Sequence, residues 1–247
     1  MMVSFGSIRG APGVTSWAAL VAARWPDPDN LGRVLLEADP AGGVLGSRYG
    51  FGVEPGVVSL VAGLRRTAGE IDVSPHARAT ASGVLVVPGP TAGEDARAVW
   101  ASVADGVADR LRCDSRVWIV DVGRVDVSSP VVALCAASSM TVLVVGPSTE
   151  DLVQLPARVA FLQSRGCRVG VLVVGKCAYA GEDIAEHAGV SVVWMVAGDR
   201  DIIRIVATTL EDRKRVGSLW PVQQATSIAA GLFHDALNEL EVRDATG

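Results

Sequence analysis

Seven short apolar runs recur along the chain, and most of them lack the alternation of a half-exposed strand. They are MVSFGS (2–7), RVLLEA (33–38), GVLVVP (83–88), RVWIVD (116–121), MTVLVVG (140–146), RVGVLVVG (168–175) and SVVWMV (191–196). A strand that is apolar on both sides must be covered on both sides, and parallel sheets flanked by helices provide that cover. Helix-length segments fall between the runs, at 15–25, 92–112, 150–165, 181–188, 199–210 and 222–241. The alternation predicts an α/β fold, a doubly wound, mostly parallel sheet flanked by helices. No Pro/Gly/Ser-rich linker and no internal repeat divides the chain, so one domain is expected over 1–247, with the C-terminal helix 222–241 docked on it. Segment 41–82, rich in Gly and Arg, is the least regular and reads as loop plus a short helix near 57–66.

Composition excludes several function classes. Hydrophobic residues make up 49% and charged residues 20%, which a disordered chain does not show. The formal charge of -5 leaves no strong nucleic-acid signal, and the run Arg213-Lys214-Arg215 is too short to supply one. The 4 cysteines and 3 histidines lie scattered, with neither zinc-site spacing nor a disulfide framework. The uncharged stretch 127–149 contains Pro130, Gly146 and Pro147 and reads as a buried helix followed by a buried strand, so no transmembrane segment is expected. The opening MMVSFGS has no basic n-region, and a cytoplasmic location is expected.

The first run is followed by a glycine-rich turn, Gly6-Ser7-Ile8-Arg9-Gly10-Ala11-Pro12-Gly13-Val14-Thr15-Ser16, and then by the helical WAALVAARW. Strand, glycine turn and helix N-terminus together make a phosphate cradle. Backbone N–H groups point inward and the helix dipole favours an anion. The pattern GxxxxGK[ST] is nearly met: Gly6 and Gly13 keep the spacing, and Thr15 stands where the hydroxyl would hold Mg²⁺. Val14 stands in place of the lysine. That lysine makes a charge-assisted contact worth about 1.5–3 kcal/mol, so its loss points to slow hydrolysis at best. Two strand ends carry acids, Glu37 and Asp39 in RVLLEADP and Asp121 in RVWIVDVG. A carboxylate at the carboxyl end of a strand, opposite a phosphate loop, is where Mg²⁺ and water chemistry need negative charge. Asp39-Pro40 also starts turns, which is the competing role for Asp39.

These segments resemble the MinD/ParA group of P-loop ATPases, whose deviant loop reads KGGxGK[ST]. The resemblance covers most of the chain in element order, and its motifs match best at 6–16, 33–40 and 117–123. It places the signature lysine on Arg9, the glycines on Gly10 and Gly13, and the second lysine on Val14. It implies ATP held by Gly10, Ala11, Pro12, Gly13, Val14, Thr15, Ser16 and Gly123, with Mg²⁺ at Thr15, Asp39 and Asp121. It implies catalytic roles for Asp39, which orients water or the metal shell, and for Arg9, which reaches a partner subunit of an ATP-bound homodimer. The family's adenine-reading Asn is matched by Gly175-Lys176, with a solvated loop lysine as the competing role. Asp199 would cap the helix that follows.

The implied function is an ATP-dependent dimerising switch that positions a cellular assembly, with weak or absent hydrolysis. Its alternative is a pseudo-ATPase scaffold for a pilus, secretion or division machinery. A metabolic ligase of the same fold ranks behind both, because its chemistry relies on the loop lysine. MinD proteins end in a basic membrane-binding helix, but here Asp235, Glu239 and Glu241 face a lone Arg243, which favours docking on the domain.

Overall fold

The computed structural model describes residues 1–9, 13–66, 69–198 and 219–246. The strands are β1 (Met2–Ser7), β2 (Arg33–Glu37), β3 (Arg78–Ala79), β4 (Val84–Val87), β5 (Val117–Arg124), β6 (Met140–Val145), β7 (Val169–Val174) and β8 (Val193–Val196). The described helices are α1 (Val14–Arg24), α2 (Leu45–Arg48), α3 (Val57–Arg66), α4 (Gly93–Cys113), α5 (Val132–Ala137), α6 (Thr149–Leu152), α7 (Leu155–Ser164), α8 (Gly181–Ala188) and α9 (Trp220–Thr246).

The strands form one sheet in the order β3-β4-β2-β5-β1-β6-β7-β8, parallel throughout except for the β3–β4 pair. This is the doubly wound, mostly parallel sheet that the apolar runs predict.

Each central strand feeds two core layers. Val34, Leu36, Trp118, Val120, Leu143, Val171 and Val173 pack on one face with α3, α4, α5, α7 and α8. Val3, Phe5, Leu35, Ile119, Val142, Val144 and Leu172 pack on the other, with α1 and α9. Successive side chains of a strand point to opposite faces, so a strand covered on both faces must be apolar at nearly every position. α1 is itself covered on most sides, with 9 of its 11 residues buried between sheet and α9. It ends at Trp25, whose extended backbone is what the following Pro26 requires.

Several elements differ from the sequence reading, each for a physical reason. The segment 150–165 is two helices, because Pro156 sits in the first turn of α7 and begins a new helix. β5 runs past Asp121 to Arg124. It gains a bulge, so that Phe5 pairs Asp121 while Gly6 pairs Gly123 and Val122 is skipped. β3 and α2 lie in the stretch read as mostly loop; β3 is two exposed residues on the sheet edge and has no apolar signal to read. The expected helix 199–210, with Asp199 before it, and the run 213–215 lie outside the described residues.

α9 docks through Val222, Ala225, Ile228, Ala229 and Leu232 on the α1 face of the core. Trp25 meets Phe233 edge-on at 6.3 Å between ring centroids. Among the described residues, no helix is long and apolar enough to cross a membrane.

Candidate functional site at the carboxyl ends of β1, β2 and β5

Ligands of doubly wound sheets sit beyond the carboxyl ends of the strands, where the direction of winding changes. Here β1 is central: the chain leaves it for β2 on one side and later returns to β6 on the other. Its carboxyl end leads through the glycine-rich turn to α1. Gly13 precedes α1 in the left-handed region, at φ 85° and ψ 35°, where a side chain would be strained. It offers no capping side chain, and no acid stands in the first turn, so the positive end of α1 carries no counter-charge of its own. Gly10, Ala11 and Pro12 lie outside the described residues.

Three carboxyl groups gather beside this helix end. Asp121 is 0% exposed; its Oδ1 accepts the Gly123 amide at 3.0 Å. Its Oδ2 is buried without a hydrogen bond of normal geometry, although the Thr15 hydroxyl lies near enough to favour the charged form. Burial pushes the Asp121 pKa up to about 7, the Thr15 hydroxyl and Gly123 amide oppose that rise, and the Glu37 and Asp39 charges add to it.

Asp39 is partly exposed, and burial raises its pKa against the Ala41 amide, which donates to Oδ1 at 2.8 Å. Its carboxyl fills the space above Gly123: a Cβ built there, at φ +59°, would collide with Asp39 Cγ. Glycine is therefore required at that position by both conformation and space.

Glu37 does structural work. Its Oε1 accepts the amides of Val44 at 2.6 Å and Leu45 at 2.9 Å, and its Oε2 accepts the Gly89 amide at 2.9 Å. One carboxylate thus ties the end of β2 to the start of α2 and to the turn after β4. Burial still raises its pKa, outweighing those three bonds.

The structure brings Thr15, Asp39 and Asp121 to one place, with Gly123 between the two aspartates. The Gly123 amide is taken by Asp121. Val14 opens α1 at 6% exposure, packed into the core. Ser16 is buried, and its Oγ accepts Arg48 Nη1 at 3.3 Å.

Arg9 lies apart from the acids: exposed, it donates from Nη1 to the Glu150 carbonyl at 3.3 Å, on the β6 side of β1. Arg124 and Lys176 are exposed. Gly6, the first glycine of the turn pattern, serves packing. A Cβ there would come within 2.8 Å of Val125 Cγ2 and 2.9 Å of Val122 Cγ2, against the bulge.

The donor set fits Mg²⁺, a hard cation that prefers oxygen and retains several waters. Thr15 offers a hydroxyl and Asp121 an unsatisfied buried carboxylate oxygen. No group of three acid, His or Cys side chains able to hold a metal occurs among the described residues, so such an ion needs water or ligand oxygens to complete its shell. Strand-end and turn spacing mark Asp121 and Thr15 in the sequence, whereas Arg48 sits in the irregular stretch with no motif around it.

No protein-family model matches the chain, and no curated protein matches it in sequence. Solved structures do match in shape. A ParA family ATPase from Chlorobium tepidum superposes with a TM-score of 0.73 at 14% identity, covering 93% of this chain and 98% of that one. The cell division ATPase MinD of Pyrococcus furiosus gives 0.66 at 15% identity, covering 92% and 97%. The septum site-determining protein MinD of Pyrococcus horikoshii, complexed with Mg-ADP, gives 0.66 at 14% identity, covering 92% and 95%. With the strand order, these likenesses show that the chain has the fold of the MinD and ParA proteins.

Proposed function

We propose that the chain is a nucleotide-binding switch that takes ATP with Mg²⁺ at the α1 N-terminus, dimerises when loaded, and positions a cellular assembly from the cytoplasm. The observation that carries this reading is Asp121: a fully buried carboxylate with an unsatisfied oxygen, set beside Thr15 at an uncompensated helix end. A carboxylate left without a cation in the core is costly, and a bound Mg²⁺ removes that cost.

The residues divide the work. Gly13, Val14, Thr15 and Ser16 supply backbone N–H groups to phosphate oxygens, with Gly10, Ala11 and Pro12 completing the loop. Thr15 and Asp121 hold the ion directly or through water, and Asp39 orients water at its edge. Mg²⁺, when bound, neutralises phosphate charge. The lack of a lysine at Val14 leaves hydrolysis slow. The Pyrococcus horikoshii MinD neighbour, complexed with Mg-ADP, supports this choice of ligand.

The burial of Val14 in the core favours a second reading, a pseudo-ATPase scaffold that retains the fold and the interaction surface without turnover. Titration with a fluorescent ATP analogue, with and without Mg²⁺, separates the two when combined with phosphate release and sedimentation. Saturable Mg²⁺-dependent binding, weak turnover and a nucleotide-dependent dimer are expected. A chain that binds no analogue sinks the switch and leaves the scaffold.

A further inference from the structure

We propose that Arg48 is the phosphate-binding cation of this chain, acting from α2 in place of the lysine that Val14 displaces; this rests on the nucleotide-binding reading above. Arg48 is the last residue of α2, and its Nη1 reaches Ser16 Oγ in the first turn of α1 at 3.3 Å. The guanidinium is only partly exposed, and among the described residues no carboxylate pairs with it. A guanidinium carries five donors in a planar fork, and one neutral hydroxyl leaves most of them available. The chemistry that completes such a group is an anion with several oxygens, and a phosphate answers it in bidentate fashion.

The surroundings point to the same ligand. The α1 N-terminus has no side-chain cap and no acid in its first turn. Beside Thr15 lies the unsatisfied Asp121 Oδ2, which calls for a cation. A chain of phosphates carrying its own Mg²⁺ meets both demands at once.

Arg48 is also held in place. Glu37 accepts the amides of Val44 and Leu45, fixing the start of α2, and Gly46 allows that helix to pass close to Gly52, where a Cβ would lie 3.1 Å from the carbonyl oxygen. The side chain therefore sits ready before any ligand arrives, which lowers the ordering cost of binding. Arg9 is drawn instead to the Glu150 carbonyl beyond β6.

The test is equilibrium titration with a fluorescent ATP analogue and Mg²⁺, with inorganic tripolyphosphate and adenosine as separate competitors. Arg48→Met should weaken both the analogue and tripolyphosphate by about 10- to 100-fold, with adenosine unchanged. Arg48→Gln, which retains a donor for Ser16 but no charge, should lose as much, while Arg48→Lys should lose less. Wild-type affinity in Arg48→Met or Arg48→Gln overturns the assignment and leaves the nucleotide reading standing. Equal losses for tripolyphosphate and adenosine also overturn it, because they mark a structural tie. A wild-type chain that binds neither the analogue nor tripolyphosphate overturns both readings.

Discussion

Two aspartates, one just before β5 and one in its carboxyl-terminal half, are treated by the protein in opposite ways. At the amino end, Asp114 is gripped by Arg116: Oδ1 accepts the backbone amide and Nε, each at 2.8 Å, and Oδ2 accepts Nη2 at 2.6 Å. Arg116 also donates to the Ile71 carbonyl, so the pair is built into the packing below the sheet. Burial by itself would raise the Asp114 pKa, but the guanidinium outweighs it and holds the carboxyl below its ordinary range. At the carboxyl end, Asp121 has a hydroxyl, one amide and two neighbouring acids, and burial drives its pKa the other way. The lower acid is a finished structural joint. The upper one is buried at a cost that a bound cation would remove, as the proposed Mg²⁺ site requires.

Substitutions should separate the two acids. The largest effect is expected from Asp114→Ala, which removes the carboxylate that grips Arg116 and leaves its guanidinium the Ile71 carbonyl. A loss of about 3–5 kcal/mol should appear in urea unfolding, and a loss under 1 kcal/mol would erase the contrast. Asp121→Asn should act in the opposite direction. The folded chain binds the Asp121 proton more tightly than the unfolded chain does, so this acid costs stability increasingly as pH rises from 3.8 towards about 7. At pH 8 the Asn variant, without metal, should gain about 2–4 kcal/mol and lose Mg²⁺-dependent nucleotide binding. If the wild type and the variant show the same stability-against-pH curve, the acid is not strained.

Asp114 has the reverse sign. Its depressed pKa gives stability above the ordinary carboxylate range that drains away as pH falls through the folded-state value. Glu37→Gln should cost about 1–3 kcal/mol, because an amide cannot accept all three backbone bonds, and thermal melting would read it. The smallest effect is expected from Gly123→Ala, about 1–2 kcal/mol, together with displacement of Asp39. Undiminished turnover in that variant would detach Asp39 from any chemistry.

The fold was readable because covered strands must be apolar on both faces, a property written locally in runs such as MTVLVVG. Asp121 was readable for the same reason, as a charge that ends such a run. Glu37 was visible as an acid at a strand end, but its partners Val44, Leu45 and Gly89 become known only once β4 lies beside β2. Arg48 had no local signal, because its meaning depends on α2 folding over Ser16, a contact between distant parts of the chain. The bulge in β5 was equally hidden, since register is a property of two strands together.

That bulge constrains the chain in a way composition never reveals. Because one residue is skipped where β5 passes β1, Val122 and Val125 enter the same core layer despite an odd separation. Beyond this point the usual even–odd bookkeeping of side-chain direction is reversed. A chain that shed Arg124 would keep all its acids and glycines, yet Val125 would swing out of its layer. The length of this strand end is thus as much a part of the site as its chemistry.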